Sequence, residues 1–173
     1  MRKLIWVALA LFVAVPSHAQ TSVADVSAGY SYFRMGGSGG LNMNGVSGSA
    51  GINANNWLGV VGDLGYYHGS PAGVGFNTVT YTVGPRFSYR SDSTLPVVPF
   101  AQALFGGAHL SASFAGVSAT SNPFAYGFGG GADIGRGKIA LRPQVDYFGL
   151  RENGFTTNSV RVSVGLVFHL GQK

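Results

Sequence analysis

The stretch that decides the fold runs from Asn158 to Leu170 and reads Asn-Ser-Val-Arg-Val-Ser-Val-Gly-Leu-Val-Phe-His-Leu. Apolar residues occupy every second position from Val160 onward, and the positions between them are mostly polar or small. Strict alternation with a period of two predicts one β-strand with one apolar face. A tilted strand of about 9–11 residues can cross a bilayer. A core strand of a soluble β-sandwich would alternate in the same way, so this stretch alone leaves the location open.

The same strand contains a second pattern, polar-x-Gly-x-x-apolar-x-apolar, formed by Ser163, Gly165, Phe168 and Leu170. This pattern resembles the carboxy-terminal assembly signal of bacterial outer-membrane β-barrels, and the chain as a whole resembles the family of small OmpA-like outer-membrane barrels. The resemblance implies that the barrel assembly machinery is a partner during insertion. It also implies that the last strand closes the barrel against the first one.

The amino terminus reads as a targeting segment. Basic residues at positions 2 and 3 precede an apolar run, Leu4–Val15, and small residues follow before Gln20. This order is typical of a secretory signal peptide, and the run is too short for a transmembrane helix. We therefore expect residues 1–19 to be removed on export, with an uncleaved anchor as the alternative.

Composition limits what the remainder, residues 20–173, can be. Its length fits one domain, and no linker or low-complexity spacer divides it. The formal charge of the whole chain is +5, and two of its basic residues lie in the leader, so the charge is too small and scattered to indicate nucleic-acid binding. There is no cysteine, and the four histidines lack metal-ligand spacing, so we expect no metal and no cofactor. An exported protein without disulfides can be held by the hydrogen bonds of a closed barrel.

Seven further segments alternate like the last strand, which predicts eight strands in all. The fifth is ambiguous, because Phe100 and Leu104 indicate one phase while Ala101, Ala103 and Phe105 indicate the other. The predicted bounds of these seven are Asp25–Phe33, Gly45–Asn53, Trp57–Tyr67, Thr78–Tyr89, Val97–Ala108, Phe124–Ile134 and Lys138–Phe148.

Alternation does not say which face of the strands lies inside. The polar face is mostly Gly, Ser, Ala and Thr, which suits a narrow lumen, whereas a soluble exterior carries more charge than 10% of residues. Aromatic residues collect near strand ends, as expected for belts at the two bilayer interfaces. These features favour an all-β, eight-stranded antiparallel outer-membrane barrel with up-and-down topology over a soluble lipid carrier. Pro85 and Pro143 argue mildly against it, because each removes a ladder donor. The predicted belt residues are Tyr30, Tyr32, Trp57, Tyr66, Tyr67, Phe87, Tyr89, Tyr147 and Phe168.

The strand count also predicts an orientation. With both termini in the periplasm, the longer connections lie outside the cell and the short turns lie inside, which is the asymmetry expected of such barrels. The short turns are those near Asn55, Ser93 and Gly135. The predicted outer loops are residues 35–44, 68–77, 109–123 and 149–157.

Charged residues on the small-residue face are candidate functional residues. A charge in a narrow lumen is costly unless it is paired, and guanidinium groups bind carboxylates in a bidentate manner. The set therefore indicates either a salt-bridge network that plugs the barrel or a gate for ions. Asp133 and Arg142 are a plausible pair because their strands are adjacent. The six residues are Asp63, Arg86, Asp133, Arg142, Asp146 and Arg161.

One motif raises the possibility of an enzyme. His68-Gly69-Ser70 is similar to the start of the His-x-Ser-Asn motif in one group of outer-membrane lipid A deacylases, which also use a glutamate. In such a site His is the general base for a Ser nucleophile. However, Pro71 stands where Asn is expected, and the only glutamate, Glu152, lies in another predicted loop. The sequence thus favours a barrel without catalytic residues and with a structural or surface-interaction role, with a narrow pore and a lipid A-modifying enzyme as alternatives.

Overall fold

The structure is a computed structural model, and it describes residues 24–37, 40–90, 96–114, 117–135 and 137–171. The predicted leader, residues 1–19, lies outside the described residues. Within the described ranges, no helix is long and apolar enough to span a membrane. The strands are β1 (Ala24–Met35), β2 (Leu41–Asn53), β3 (Leu58–Gly69), β4 (Gly75–Ser88), β5 (Val97–Phe114), β6 (Val117–Ser121), β7 (Phe124–Ile134), β8 (Ile139–Glu152) and β9 (Phe155–Leu170), and one turn of 3-10 helix spans Pro71–Gly73.

Eight of these strands form a closed ring in the order β1-β2-β3-β4-β5-β7-β8-β9. The first and last strands pair from Ala24 opposite Leu170 to Met35 opposite Ser159, which closes the ring. The remaining strand, β6, precedes β7 along the same edge of β5. It pairs with the part of β5 near the β5–β6 turn. The predicted eight-stranded meander, closed by its last strand, is confirmed. A closed ring satisfies the backbone of the wall without leaving a sheet edge in lipid.

The last strand shows which face lies inside. Its valines Val160, Val162 and Val164 are exposed on the outer wall, whereas Ser159 and Arg161 are buried in the lumen. The other strands of the ring alternate in the same sense. The apolar face therefore points outward and the polar face inward, as predicted for an outer-membrane barrel.

The ambiguous strand β5 points Phe100 and Leu104 into the lumen and Phe105 outward. The reason lies on the neighbouring strand, where Gly131 leaves room for a ring. A Cβ at Gly131 would lie 3.0 Å from the tip of Phe100. Because the space for Phe100 comes from another strand, the pattern of β5 alone could not settle its phase.

The predicted outer loops are largely wrong in extent, because backbone pairing continues well beyond the predicted strands. In the hairpin of β8 and β9, only Asn153 and Gly154 separate the strands, with φ of 47° and 84°. Positive φ at both positions is typical of the tight type I′ hairpin turn, for which Asn-Gly is the preferred sequence. We call the end of the barrel with the long hairpins the hairpin end, and the end with the chain termini the terminal end.

The connection at Asn55 confirms a predicted short turn. The Asn55 side-chain Oδ1 accepts hydrogen bonds from the backbone N–H groups of Trp57 (3.0 Å) and Leu58 (2.7 Å). An asparagine that bonds to the backbone two or three residues ahead stabilises a turn locally. Residues 91–95, including Ser93, lie outside the described ranges, and so does Arg136.

Pro85 and Pro143 occupy positions in their strands that tolerate proline. The pairing of β4 with β5 is interrupted between Val83 and Arg86, where Pro85 lies. The pairing of β7 with β8 is likewise interrupted between Leu141 and Gln144, where Pro143 lies. A residue without an N–H group therefore lies beside a gap in each of these ladders, which removes the objection that the prolines raised.

Candidate functional site: the lumen

All six predicted lumen charges lie inside the barrel, each with 8% or less of its surface exposed. They come from strands on all sides of the ring, so their side chains meet across the lumen. The two groups that they form are described in turn, beginning with the one nearer the hairpin end.

Arg161 on β9 is the centre of the first group and is fully buried. It donates two hydrogen bonds to Asp63 on β3, at 2.7 and 3.1 Å. It also contacts Asp146 on β8, with Nε 2.9 Å and a terminal nitrogen 2.8 Å from Oδ2. The Tyr67 hydroxyl accepts a further bond from it at 3.2 Å. One guanidinium thus ties three strands together, with charge-assisted bonds that are stronger than neutral ones.

Arg142 and Arg86 form the second group, nearer the terminal end. Arg142 binds Asp133 in a bidentate manner, at 2.6 and 2.8 Å, which is the pair that the sequence indicated. Arg142 and Arg86 also share Asp25, whose Oδ1 lies 3.1 and 2.9 Å from them. The Phe100 ring lies about 5 Å from both guanidinium groups, with 4.8 Å to Arg86 and 5.0 Å to Arg142. This cation–π arrangement stabilises two like charges in close proximity.

One glutamine connects these groups, and a second glutamine extends the first group. Gln102 accepts a bond from Arg86 at 3.2 Å and donates one to Asp146 at 3.1 Å. Gln144 donates to the other oxygen of Asp146 at 2.8 Å. The neighbouring wall must be thin here, because a Cβ at Gly129 would collide with the Asp146 carboxylate. The lumen therefore holds one continuous polar network, which we call the charge network.

Asp25 was missed as a member of this network, although the alternation of β1 places it on the small-residue face. Its inclusion gives four carboxylates against three guanidinium groups among the described lumen residues. His169 Nε2 lies 3.9 Å from Asp133, at the edge of this group. The three-against-three balance expected from the sequence is therefore wrong by one acid.

A layer of apolar and aromatic side chains closes the lumen on the side of the hairpin end. Phe33 stacks on Tyr67 with ring centroids 4.6 Å apart, and it contacts Phe148 at 6.1 Å. Phe148 in turn lies 5.0 Å from the Arg161 guanidinium. We call this the aromatic layer. Its fully buried members are Phe33, Met43, Tyr67 and Phe148. Val61 and Leu104 belong to the same apolar cluster and lie beside Asp63 and Gln102 of the charge network.

The aromatic layer corrects one prediction. Tyr67 was assigned to an interfacial belt, but its side chain is fully buried in the lumen and bonds to Arg161. The signal was present in the phase of β3, because Tyr67 shares the face of Asp63 and Gly65, whereas Tyr66 has the opposite face. Proximity to a strand end was a poorer guide than parity.

One cavity beside the charge network is very small. This cavity, between the serine and glycine wall of β1, β2 and β9 and the side chains of Arg142 and Gln144, has a volume of about 20 Å³. About 10–15 Å³ is needed for one water molecule. This cavity can therefore hold a single water and not a hydrated ion.

Outward-facing tyrosines near the hairpin end donate hydrogen bonds to asparagines on the next strand. Tyr30 bonds to Asn44 at 2.6 Å, and Tyr147 bonds to Asn158 at 2.7 Å. Such amphipathic rings are typical of the region where lipid tails meet headgroups.

The candidate catalytic motif lies in this same belt. Ser70 Oγ is 3.0 Å from His68 Nε2, and His68 Nδ1 is 2.7 Å from Asn77 Oδ1. However, Asn77 Oδ1 also accepts from Tyr66 at 3.1 Å, as the other belt asparagines do from tyrosines. Glu152 is elsewhere, bonded to Ser121 on β6. The histidine is thus held as a belt residue, and the glutamate expected of the deacylase motif does not reach it.

The residues of the assembly pattern divide between the two faces of β9. Ser163 and Gly165 face the lumen, while Phe168 and Leu170 face outward and are about half exposed. Phe168 lies directly opposite Ile139 on β8 and Val26 on β1. Within the described residues, no group of three or more His, Asp or Glu side chains is arranged to hold a metal ion.

Three solved structures of outer-membrane barrels have this fold. Neisserial surface protein A (NspA) superposes with a TM-score of 0.69 at 19% identity, covering 86% of this chain and 99% of that one. Ail, the attachment invasion locus protein of Yersinia pestis, gives 0.63 at 16% identity, covering 86% and 99%. The amino-terminal β-barrel domain of OprF from Pseudomonas aeruginosa gives 0.61 at 13% identity, covering 86% and 98%. At these identities the likeness concerns the fold.

Sequence comparison shows the family directly. No curated protein matches the chain significantly. The profile of the family described as "Outer membrane protein beta-barrel domain" matches residues 5–168, which is most of the chain. The chain therefore belongs to the outer membrane protein beta-barrel domain family and is a protein of the outer membrane.

Proposed function

We propose that this protein is a non-conducting outer-membrane barrel with a structural or surface-interaction role, whose lumen is permanently plugged. The observation that carries the proposal is the position of Arg161. From β9 it reaches Asp63 on β3, three strands away around the ring through β1 and β2. The bond therefore crosses the lumen and does not merely run along one wall.

A second cross-lumen tie supports the plug. Asp25 on β1 binds Arg86 on β4 and Arg142 on β8, which lie on opposite sides of it around the ring. To open a path, these buried pairs would have to separate inside the lumen. Leaving one member of a buried pair without its partner costs about 3–5 kcal/mol. The aromatic layer would have to move as well.

The outer wall and the hairpins have different roles in this proposal. The exposed apolar side chains of the wall contact the lipids of the outer membrane. The hairpin end projects beyond the apolar wall, and we propose that it is the part shown to the outside of the cell. We expect a surface ligand to bind there.

Export and assembly follow from the two ends of the chain. We propose that residues 1–19 are a cleaved signal peptide and that both termini of the barrel are periplasmic. We also propose that the barrel assembly machinery recognises β9 through Ser163, Gly165, Phe168 and Leu170. The outward position of the two apolar residues supports this, because they remain accessible on the finished strand.

Surface display can be tested with single cysteines, since the chain has none of its own. In Asn153→Cys the thiol lies in a hairpin turn, and in Asn56→Cys it lies in a turn at the terminal end. We expect an impermeant maleimide to label Asn153→Cys on intact cells and Asn56→Cys only after lysis. Labelling of the opposite pattern would overturn the proposed orientation.

The pore and enzyme alternatives have their own tests. Proteoliposomes that contain the folded barrel should swell no faster in small sugars than empty liposomes. Swelling above that baseline would favour a narrow pore. Mass spectrometry of lipid A from cells with and without the gene should give the same spectrum, and a lost acyl chain would favour the enzyme.

A further inference from the structure

An open cavity of about 210 Å³ lies at the hairpin end, above the aromatic layer. We call it the vestibule. Inward-facing side chains of β1, β2, β4, β5 and β6 form its wall, and most of them are apolar. These are Met35, Leu41, Phe76, Leu110, Ala112 and Ala119.

The vestibule exposes more apolar side chains than a surface that only contacts water would be expected to have. In the aromatic layer directly below it, the inward apolar side chains are fully buried. In the vestibule the inward apolar side chains are instead partly exposed to solvent. Concave apolar surface that remains accessible to solvent commonly marks a binding site.

Packed apolar side chains close the floor of the vestibule. Met35, Leu41 and Phe76 pack against the aromatic layer, and Met35 and Leu110 also pack against a second buried cluster that contains Leu150. The vestibule therefore leads nowhere, and it is suited to holding a molecule and not to passing one. The flexible thioether of Met35 allows the wall to adapt to different shapes.

Size and charge restrict the occupant. An apolar cavity of about 150 Å³ accepts benzene, so by proportion the vestibule accepts a ligand of about eight or nine non-hydrogen atoms. None of the side chains that line it is charged. Of the hydroxyl side chains that line it, Thr78 and Ser121 share the inward face with Leu110. The carboxylate of Glu152 lies beside it and already accepts hydrogen bonds from Ser121 and from the Asn122 N–H group. A charged ligand group would therefore find no free partner, whereas a single hydroxyl can bond to Ser121.

We propose that the vestibule binds one small, neutral amphiphile, with an aromatic or branched aliphatic body and a single hydroxyl group. 2-Phenylethanol has the required size and chemistry and serves as the probe. The body lies against Met35, Leu41 and Phe76, and the hydroxyl points toward the outer edge. For a ligand of this size we expect a Kd on the order of 0.1 mM.

The experiment uses protein extracted from outer membranes, labelled at the methionine methyl groups and placed in lipid nanodiscs, so that detergent does not compete. Met35 lies in the wall of the vestibule and Met43 lies in the layer beneath it. We expect titration with 2-phenylethanol to shift the Met35 methyl resonance with saturation, and to shift that of Met43 less.

A test variant and its matched control lie on neighbouring residues of β6. Ala119→Leu places a larger side chain in the vestibule, opposite Ala112, and should weaken the saturable shift at least tenfold. Ser118→Leu adds the same side chain to the other face of β6 and should leave the Kd unchanged. Heat-modifiable gel mobility verifies that each variant is folded.

Three outcomes overturn the proposal. A shift that rises linearly without saturation shows partition into the lipid. An equal Kd in Ala119→Leu shows that the alcohol binds elsewhere. If the chemical shift of the Met35 methyl group stays unchanged on addition of the alcohol and changes with the chain length of the nanodisc lipid, a lipid tail occupies the vestibule.

Discussion

Replacement of Arg161 by methionine removes the charge at the centre of the lumen while keeping a side chain of similar length. The variant leaves Asp63 and Asp146 buried without their guanidinium partner. Breaking a buried ion pair on one side costs about 3–5 kcal/mol. This is a large part of the total stability of an ordinary domain, which is about 5–15 kcal/mol.

The loss of the Arg161 guanidinium should cost more stability at one of the two carboxylates than at the other. Asp146 keeps the hydrogen bonds that Gln102 and Gln144 donate to it. Within the described part of the chain, the hydrogen bonds to the Asp63 carboxylate come from Arg161. The second change Asp63→Asn should therefore recover more of the lost stability than Asp146→Asn, and we expect a coupling of about 2 kcal/mol between positions 161 and 63.

The assay is urea unfolding of barrels refolded into lipid vesicles, with all single and double variants compared. Arg151→Met is the matched control, because Arg151 is exposed near the hairpin end and its change should cost less than about 0.5 kcal/mol. Additive losses at positions 161 and 63, or an Arg161→Met variant as stable as the control, would refute the reasoning.

Three further predictions concern assembly, a turn and the candidate catalytic serine. Phe168→Ala should lower insertion in cells more than refolding in detergent, whereas Phe128→Ala, an equally outward change on β7, should affect both alike; equal losses for Phe168→Ala would show a packing role only. Gly154→Ala should lower the free energy of unfolding in urea by about 1–2 kcal/mol, because Gly154 has a φ of 84°. Gly62→Ala is the control and should have a much smaller effect, because its Cβ would meet no atom closer than 4.0 Å. A larger loss for Gly62→Ala would contradict the turn geometry. Ser70 should not react with a fluorophosphonate probe, and labelling that Ser70→Ala abolishes would restore the enzyme hypothesis.

Much of the fold could be predicted because its determinant is local. Alternation from Val160 to Leu170 defines the closing strand, and the small residues on its other face define the direction of the lumen. The hairpins beyond the membrane could not be bounded in this way, because both of their faces meet water and no period of two is required. Asn153-Gly154 was nevertheless a local signal for a tight turn.

The sequence predicted which charged residues face the lumen but not which of them pair with one another. The parity of each strand identified the lumen charges, and the same parity would have added Asp25 and Tyr67. Which carboxylate meets which guanidinium depends on the shear of the closed ring, which sets the relative levels of residues on strands that are not neighbours, such as β9 and β3. No feature within a single strand carries that relation. The vestibule depends on five strands at once and had no sequence signal of its own.

Ion conductance across planar lipid bilayers tests the central claim, that the lumen is closed, most directly. The folded wild-type barrel should give no current steps, because the charge network and the aromatic layer both block the path. Barrels in which Arg161→Ala is combined with Phe33→Ala and Phe148→Ala should give steps if they remain folded, which shows that the assay can detect an opening at this place. Reproducible current steps from the wild-type barrel would contradict the account.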